Sequence, residues 1–245
     1  MSIHTAKNSD SLPLSTEKCA RAEALLTEFQ TNHPMYAHLK LLAGNPDDDY
    51  MLAARACRLF GIEVVFYEPI DTLHGVTEGN CVLLSGYERG ASGYRPLWTA
   101  GHETSHVLGS RRLVEHARLV SYIMSECILP EAFDNRSAIE KLAQGYLGLM
   151  GEEPVPEGWT DVVNEEVVAD VAGSLWQDPS FWADMRERDV SSDRRALYAE
   201  IIARLKVERE VPYRSWASDA AKARARFVDY MLLFFESGVE PVQPG

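Results

Sequence analysis

The stretch RPLWTAGHETSHVLG, residues 95–109, decides the fold, and it contains the motif His-Glu-x-x-His at positions 102 to 106. Residues four positions apart on an α-helix lie on one face, so His102 and His106 can present two imidazole nitrogens to a single ion. Glu103 then lies beside that ion. The pattern is typical of zinc hydrolases, in which two histidines hold the metal and the adjacent carboxylate takes a proton from a metal-activated water.

The flanks of this motif favour a helix. Pro96 suits a first turn and Gly109 suits a stop. The alternative interpretation is a helix with two partly buried histidines that are satisfied by hydrogen bonds, with Glu103 in solvent. A third metal ligand would distinguish the two.

Catalytic zinc sites use three protein ligands and leave one position for water. A third histidine one turn further along is excluded, because Arg112 occupies that position. Residues 160–176 instead predict a second helix that begins at Thr160 or Asp161 and ends before Pro179. Small residues on this helix would allow close packing against a neighbour: Ala169, Ala172 and Gly173.

Two carboxylates on this second helix are one turn apart on the same face. Glu166 is the expected third ligand, and Asp170 is expected to accept a hydrogen bond from the far nitrogen of a ligating histidine. Glu165 lies about 100° around the helix from Glu166, so its replacement is expected to do little. Glu165, Asp170 and His116 remain alternative third ligands.

The two motifs together resemble those of a known superfamily. HETSH at 102–106 followed by NEEVVAD at 164–170 resembles the gluzincins, whose signature is His-Glu-x-x-His and then Glu-x-x-x-Asp on a second helix. The approach RPLWTAGHE and the run EVVADVA are similar to the ImmA/IrrE-type metallopeptidases of bacteria and phage, although Gly101 stands where alanine is usual. The resemblance covers about residues 60 to 176. It implies His102, His106 and Glu166 as Zn²⁺ ligands, Glu103 as general base, and Asp170 as the residue that orients a ligand.

The composition predicts a globular chain, with 46% hydrophobic and 25% charged residues among 245. A net charge of −13 argues against nucleic-acid partners and against anionic membranes. The run YMLLFF at 230–235 is too short to span a bilayer. Four widely spaced cysteines without Cys-x-x-Cys, and an N-terminus without an apolar signal, predict a cytoplasmic protein, with export by a specialised bacterial secretion system as the alternative.

The predicted fold class is α+β: a mostly α-helical, zincin-like metallopeptidase with a small mixed β-sheet before the active-site helix. Residues 1–14 are expected to be disordered and 15–245 to form a single domain, with 111–159 as a helical insertion between the zinc motifs and 190–245 as C-terminal helices. His33 and His38 are interpreted as structural or exposed. Strands are expected at 62–67 and 81–85, and helices, besides the two that carry the motifs, at 16–31, 45–61, 111–129, 137–150, 192–208 and 218–237.

Strand 81–85 is expected at the edge of the sheet, where it would bind an extended substrate by strand addition. Residues 71–80 are interpreted as a turn region and 86–94 as a mobile loop near the site. Tyr87 and Tyr94 are therefore candidates to donate a hydrogen bond to the developing oxyanion.

The function expected from these features is zinc-dependent endopeptidase activity on a protein or peptide substrate. Two alternatives stay open: a narrow-specificity protease that acts as a toxin or secreted effector, and a non-catalytic binding or regulatory module of the same fold. Glu103 argues against the non-catalytic alternative, because a pair of histidine ligands has no need of a base beside it. The substrate and the oligomeric state are not set by the sequence.

Overall fold

The structure, a computed structural model, describes residues 16–44, 46–69, 74–86, 96–128, 159–207 and 219–236. Most of these residues are helical and a short sheet precedes the motif helix, which confirms the predicted α+β class. The helices are α1 Thr16–Asn32, α2 Asp48–Arg58, α3 Pro96–Arg111, α4 Leu113–Tyr122, α5 Trp159–Trp176, α6 Pro179–Arg188, α7 Ser192–Val207 and α8 Ala220–Glu236. The strands are β1 Glu63–Tyr67, β2 Gly75–Glu78 and β3 Cys81–Ser85. None of the helices described is both long and apolar enough to cross a membrane.

The three strands form a mixed sheet in the order β1-β3-β2. β3 pairs with β1 in parallel and with β2 in antiparallel orientation. The prediction that strand 81–85 lies at the edge is therefore wrong, since β3 occupies the middle and β2 lies at the edge. The prediction of a turn region at 71–80 is also wrong in part, because Gly75–Glu78 forms strand β2.

The central position of β3 follows from its side chains. Cys81 and Leu83 pack with Phe29 of α1, whereas Val82 and Leu84 pack on the other face with residues of α2 and α3. All five residues of the strand are buried. A strand that is covered on both faces typically consists of consecutive apolar residues. β2 is half-buried throughout and more polar, as suits an edge strand.

A two-residue turn joins β2 to β3, with Gly79 at a φ of 55°. This left-handed conformation is accessible to glycine without steric cost, which explains the tight hairpin. Glu78, at the end of β2, accepts a hydrogen bond from the side-chain amide of Asn32 at 2.7 Å. The edge strand is thus tied to the end of α1.

The larger hydrophobic core joins α2, α3, α4, α5, α6, α7, α8 and one face of the sheet. Trp176 and Trp182 are fully buried in it, with ring centroids 5.2 Å apart. Sequence reasoning assigned no element to residues 179–188, yet α6 begins there, because the Asp178 carboxylate accepts a hydrogen bond from the Ser180 backbone N–H at 2.8 Å. Pro179, which was expected only to limit the extent of α5, is therefore also the first residue of α6.

The other expectations about elements have mixed outcomes. The helices predicted at 192–208 and 218–237 correspond to α7 and α8, and the one predicted at 111–129 corresponds to α4 followed by a π-helical turn, Ile123–Cys127. Cys57 and Cys81 are buried free thiols, as expected of reduced cysteines. The expected disordered segment 1–14, the predicted helix 137–150 and the loop that carries Tyr87 and Tyr94 lie outside the described residues.

Candidate metal centre

α3 presents both motif histidines from one face. The Nε2 atoms of His102 and His106 lie 3.3 Å apart, as expected for residues separated by four positions. Both side chains are mostly buried. The helix therefore brings two potential ligand nitrogens to one point, and the predicted pairing of His102 with His106 is confirmed.

α5 supplies the carboxylate that the sequence analysis expected. Glu166 Oε2 lies 3.4 Å from His102 Nε2, and Glu166 Oε1 lies 3.6 Å from His106 Nε2. One ligand atom from each of the three residues can be chosen so that all lie within 4.8 Å of one another. His102, His106 and Glu166 are thus close enough together to bind a metal ion.

The far nitrogens of the two histidines also face carboxylates. Asp170 Oδ1 lies 3.1 Å from His102 Nδ1, in the orienting position that was predicted for it. Glu165 Oε1 lies 3.5 Å from His106 Nδ1. A carboxylate at Nδ1 favours the tautomer with hydrogen on Nδ1, so the Nε2 lone pair of each ring is directed at the other histidine and at Glu166.

Such a cluster of electron pairs is unfavourable unless it encloses a positive charge. Burial lowers the pKa of His102, but hydrogen bonds to Asp170 and Glu166 raise it more, and the net result is a pKa raised to about 10. A proton on His102 is one way to supply the charge. A metal cation held between the same three residues is another.

Glu103 lies next to this cluster on the buried side of α3. Burial raises the pKa of its carboxyl group, and the neighbouring histidines His102 and His106 oppose that rise. The side chain packs against the edge strand: a Cβ placed on Gly75 would lie 3.0 Å from Glu103 Cγ and 3.1 Å from Oε1. The absence of a side chain at position 75 therefore leaves room for both Thr99 and the Glu103 carboxylate. A raised pKa makes this carboxylate a stronger proton acceptor when it is ionised.

Two glycines allow α3 and α5 to pack closely enough to form the site. A Cβ on Gly101 would lie 2.5 Å from Trp176 Cγ and 2.9 Å from Trp176 Cβ. A Cβ on Gly173 would lie 2.7 Å from the Trp98 carbonyl oxygen. The close approach predicted from the small residues of α5 is confirmed for Gly173, and the lack of a side chain at Gly101 leaves the space that Trp176 occupies.

His116, one of the alternative third ligands, lies away from the ligand atoms. It is buried beside Gly109, and its Nδ1 lies 3.2 Å from the hydroxyl oxygen of Tyr230 on α8. Its Nε2 has no hydrogen-bond partner among the described residues, and the nearest carboxylate oxygen, Glu165 Oε1, is 3.9 Å away. Burial lowers the pKa of His116. His116 therefore lies behind the site, and it is not one of the three residues whose donor atoms come together.

Glu165, whose replacement was expected to do little, contacts the second motif histidine. Glu165 does lie on a different face of α5 from Glu166, but it reaches His106 from the opposite side of the imidazole ring. The contact with His106 lowers the pKa of Glu165. A chemical argument could have indicated this contact: if His106 binds a metal through Nε2, its Nδ1–H needs a hydrogen-bond acceptor, as that of His102 does.

Trp98 is a second neighbour that sequence reasoning did not assign to the site. Its ring stacks on His102, with centroids 5.2 Å apart and an interplanar angle of 29°. Its indole N–H donates to Ser174 Oγ at 3.4 Å. Because Trp98 is four residues before His102, the helical spacing that pairs the two histidines could have indicated this contact.

Comparison of this chain with protein-family models, with curated proteins and with solved structures gives no match in any of the three.

Proposed function

We propose that the chain is a zinc-dependent endopeptidase that hydrolyses peptide bonds in a protein substrate. The observation that carries this proposal is the spacing of the three donor atoms, together with the carboxylate of Glu103 buried beside them. The resemblance to gluzincins, noted from the two motifs, points to the same chemistry.

The shortest separations between the donor atoms are close to those found around a tetrahedral ion. Ligand atoms about 2.0–2.1 Å from a tetrahedral zinc ion lie about 3.3–3.4 Å from one another. The two Nε2 atoms are 3.3 Å apart, and each lies 3.4 to 3.6 Å from a different carboxylate oxygen of Glu166. With one atom taken from each residue, all three lie within 4.8 Å of one another. Two imidazoles and one carboxylate are also the donor set of many catalytic zinc sites, in which the fourth position stays open.

Each residue then has a defined task. His102, His106 and Glu166 would hold the ion, and Asp170 keeps the His102 ring in the tautomer that directs Nε2 at it. A zinc ion held there would supply Lewis acidity, which would polarise a scissile carbonyl and make water a better nucleophile at neutral pH. Glu103 takes the proton of the attacking water and delivers it to the amide nitrogen as the C–N bond breaks.

The edge strand offers a place for an extended substrate. β2 pairs with β3 on one side, and in the described part of the chain no strand pairs with its other side. Gly75 of β2 lies against Glu103, so a peptide added to this edge would pass close to the proton acceptor. Strand addition, first expected at β3, is proposed here for β2.

The metal site is tested by elemental analysis of the purified protein. Wild type should retain about one zinc per chain after dialysis, and Glu166→Ala should retain far less, because it removes one of three ligands. Equal metal content in both proteins would contradict the proposed centre.

The activity is tested by incubating the protein with a complex protein extract and mapping the new termini. Glu103→Gln serves as the matched control, since it preserves size and folding but removes the base. Many new termini with wild type alone would indicate a broad endopeptidase, and a single one would indicate narrow specificity. No new termini from a zinc-loaded wild type would refute the proposal and favour a binding module.

A further inference from the structure

Each of the two histidines in the proposed centre has a carboxylate at its far nitrogen. Asp170 has this place beside His102, as the Glu-x-x-x-Asp pattern implies. The carboxylate beside His106 belongs to Glu165, which no motif assigns a role. The two carboxylates come from the same helix, five residues apart, on either side of Glu166.

Glu165 lies between two histidines from different helices. Its Oε1 is 3.5 Å from His106 Nδ1 and 3.9 Å from His116 Nε2. The Glu165 side chain is 47% exposed, whereas that of His116 is only 9% exposed. A half-exposed glutamate has many rotamers available in solution, so a fixed role at His106 requires something that holds it. His116 is positioned to do this.

The hydrogen-bonding pattern of His116 is consistent with that role. When Tyr230 donates its hydroxyl proton to His116 Nδ1, the neutral ring carries its hydrogen on Nε2. That Nε2 is buried and has no hydrogen-bond partner in the part of the chain that the structure describes. The carboxylate of Glu165 is the acceptor that faces it, so a small movement of Glu165 would satisfy both groups.

We propose that Glu165 is a positioning residue for His106, and that His116 of α4 holds the Glu165 carboxylate in place from behind. The proposal rests on the metal centre proposed above. Glu165 accepts the Nδ1–H of His106, which fixes the ring's tautomer and directs Nε2 towards His102 and Glu166. Tyr230 extends the same chain of contacts to α8.

Loss of a partner at the far nitrogen of a metal-ligating histidine costs about 10- to 100-fold in metal affinity. Glu165→Ala should therefore weaken Zn²⁺ or Co²⁺ binding by about tenfold or more, measured on the full chain by competition with a chromophoric chelator. Glu165→Gln should recover much of the loss, because its amide oxygen still accepts the Nδ1–H. Asp161→Ala, one turn earlier on the same helix and exposed, is the control for lost surface charge.

Three outcomes separate positioning from charge. Rescue by Glu165→Gln with an unchanged Asp161→Ala supports the proposal. Equal losses in Glu165→Ala and Glu165→Gln would overturn it, because charge alone would then account for the effect. Wild-type affinity in Glu165→Ala would also overturn it. Glu166→Ala keeps this test distinct from that of the metal centre. If Glu166→Ala still binds metal, the metal centre itself is refuted. If Glu166→Ala loses metal while Glu165→Ala binds it like wild type, only the proposed role of Glu165 is refuted.

A spectroscopic readout reports the contact directly. In the Co²⁺-substituted protein, the ring N–H protons of His102 and His106 give paramagnetically shifted resonances that survive only when a partner protects them from exchange with solvent. Glu165→Ala should selectively broaden the resonance of His106 and leave that of His102. Retention of both resonances would overturn the proposal.

The role of His116 is tested by a double-mutant cycle. His116→Gln should lower metal affinity in the wild-type background and have no further effect in Glu165→Ala, because it acts through Glu165. Tyr230→Phe, which keeps the ring and removes only the hydroxyl group, provides a second variant if His116→Gln does not fold. Independent, additive effects in both backgrounds would overturn the assignment of His116.

Discussion

Gly101→Ala is the change that most directly tests how the site is built. In a helix interior this substitution ordinarily stabilises a protein by about 0.8–1.0 kcal/mol, because alanine has the higher helix propensity. Here the new Cβ would lie 2.5 Å from Trp176 Cγ and 2.9 Å from Trp176 Cβ and Cδ2. The structure therefore predicts the opposite sign.

The size of the effect follows from the surroundings of Trp176. Its ring is fully buried, 5.2 Å from the ring of Trp182 and 6.1 Å from that of Phe60, so it has no free space to enter. Carbon atoms in contact are ordinarily about 3.5–4.0 Å apart, so α3 and α5 would have to separate locally by about 1 Å. Overpacking of this kind costs about 1–3 kcal/mol, which outweighs the gain in propensity.

The same displacement should affect the metal centre, because its ligands are divided between α3 and α5. Protein metal sites tolerate deviations of only about 0.2 Å in ligand distances. We expect Gly101→Ala to lower both the free energy of unfolding, measured by urea denaturation with chelator present, and the affinity for Zn²⁺. Ser110→Ala, at the exposed end of the same helix, is the control. A Gly101→Ala protein that is more stable than wild type and binds zinc as tightly would refute the proposed close contact.

Three further predictions concern the chemistry of the site. Glu103→Gln should fold and bind zinc like wild type but lose proteolysis by several orders of magnitude, and unchanged cleavage of a protein substrate would contradict its role as base. Removing the metal from wild type with a chelator should lower the free energy of unfolding by about 2.7 kcal/mol, compared with the same protein in zinc at 100 times its Kd. Urea titrations of Glu166→Ala with and without zinc should show almost no such difference. Without metal, the raised pKa of His102 means that its proton stabilises the fold fully below about pH 6.5, and that this contribution is lost as the pH rises towards 10. Urea denaturation of the chelated protein at several pH values in that range should show the decline, and a flat profile would contradict it.

The misplacement of strand 81–85 shows what local sequence leaves open. Residues 81–85 and 62–67 were recognisable as strands because they are short, apolar and bounded by turn residues. Their order in the sheet depends on β2, whose four residues, Gly75–Glu78, carry too little apolar character to be distinguished from a turn. Pairing between strands is a non-local property, and only the structure shows that β2 covers the outer side of β3.

The contact between Glu165 and His106 was missed for a related reason. Angular separation on α5 correctly places Glu165 and Glu166 on different faces, but it gives no information about which neighbouring helices those faces meet. His106 comes from α3 and His116 from α4, and both lie on the Glu165 side. The contact becomes visible only when three helices are placed together.

The sequence by itself determined the parts of this protein that depend on short-range geometry. The spacing of His102 and His106 along one helix, and of Glu166 and Asp170 along another, fixes which side chains share a face, because the α-helix has a constant rise and turn. The distance between those two helices depends instead on packing, on Gly101 against Trp176 and Gly173 against Trp98. Only the tertiary structure could decide that the four side chains meet, since contacts between distant segments are set by the shape of the whole core and not by any local pattern.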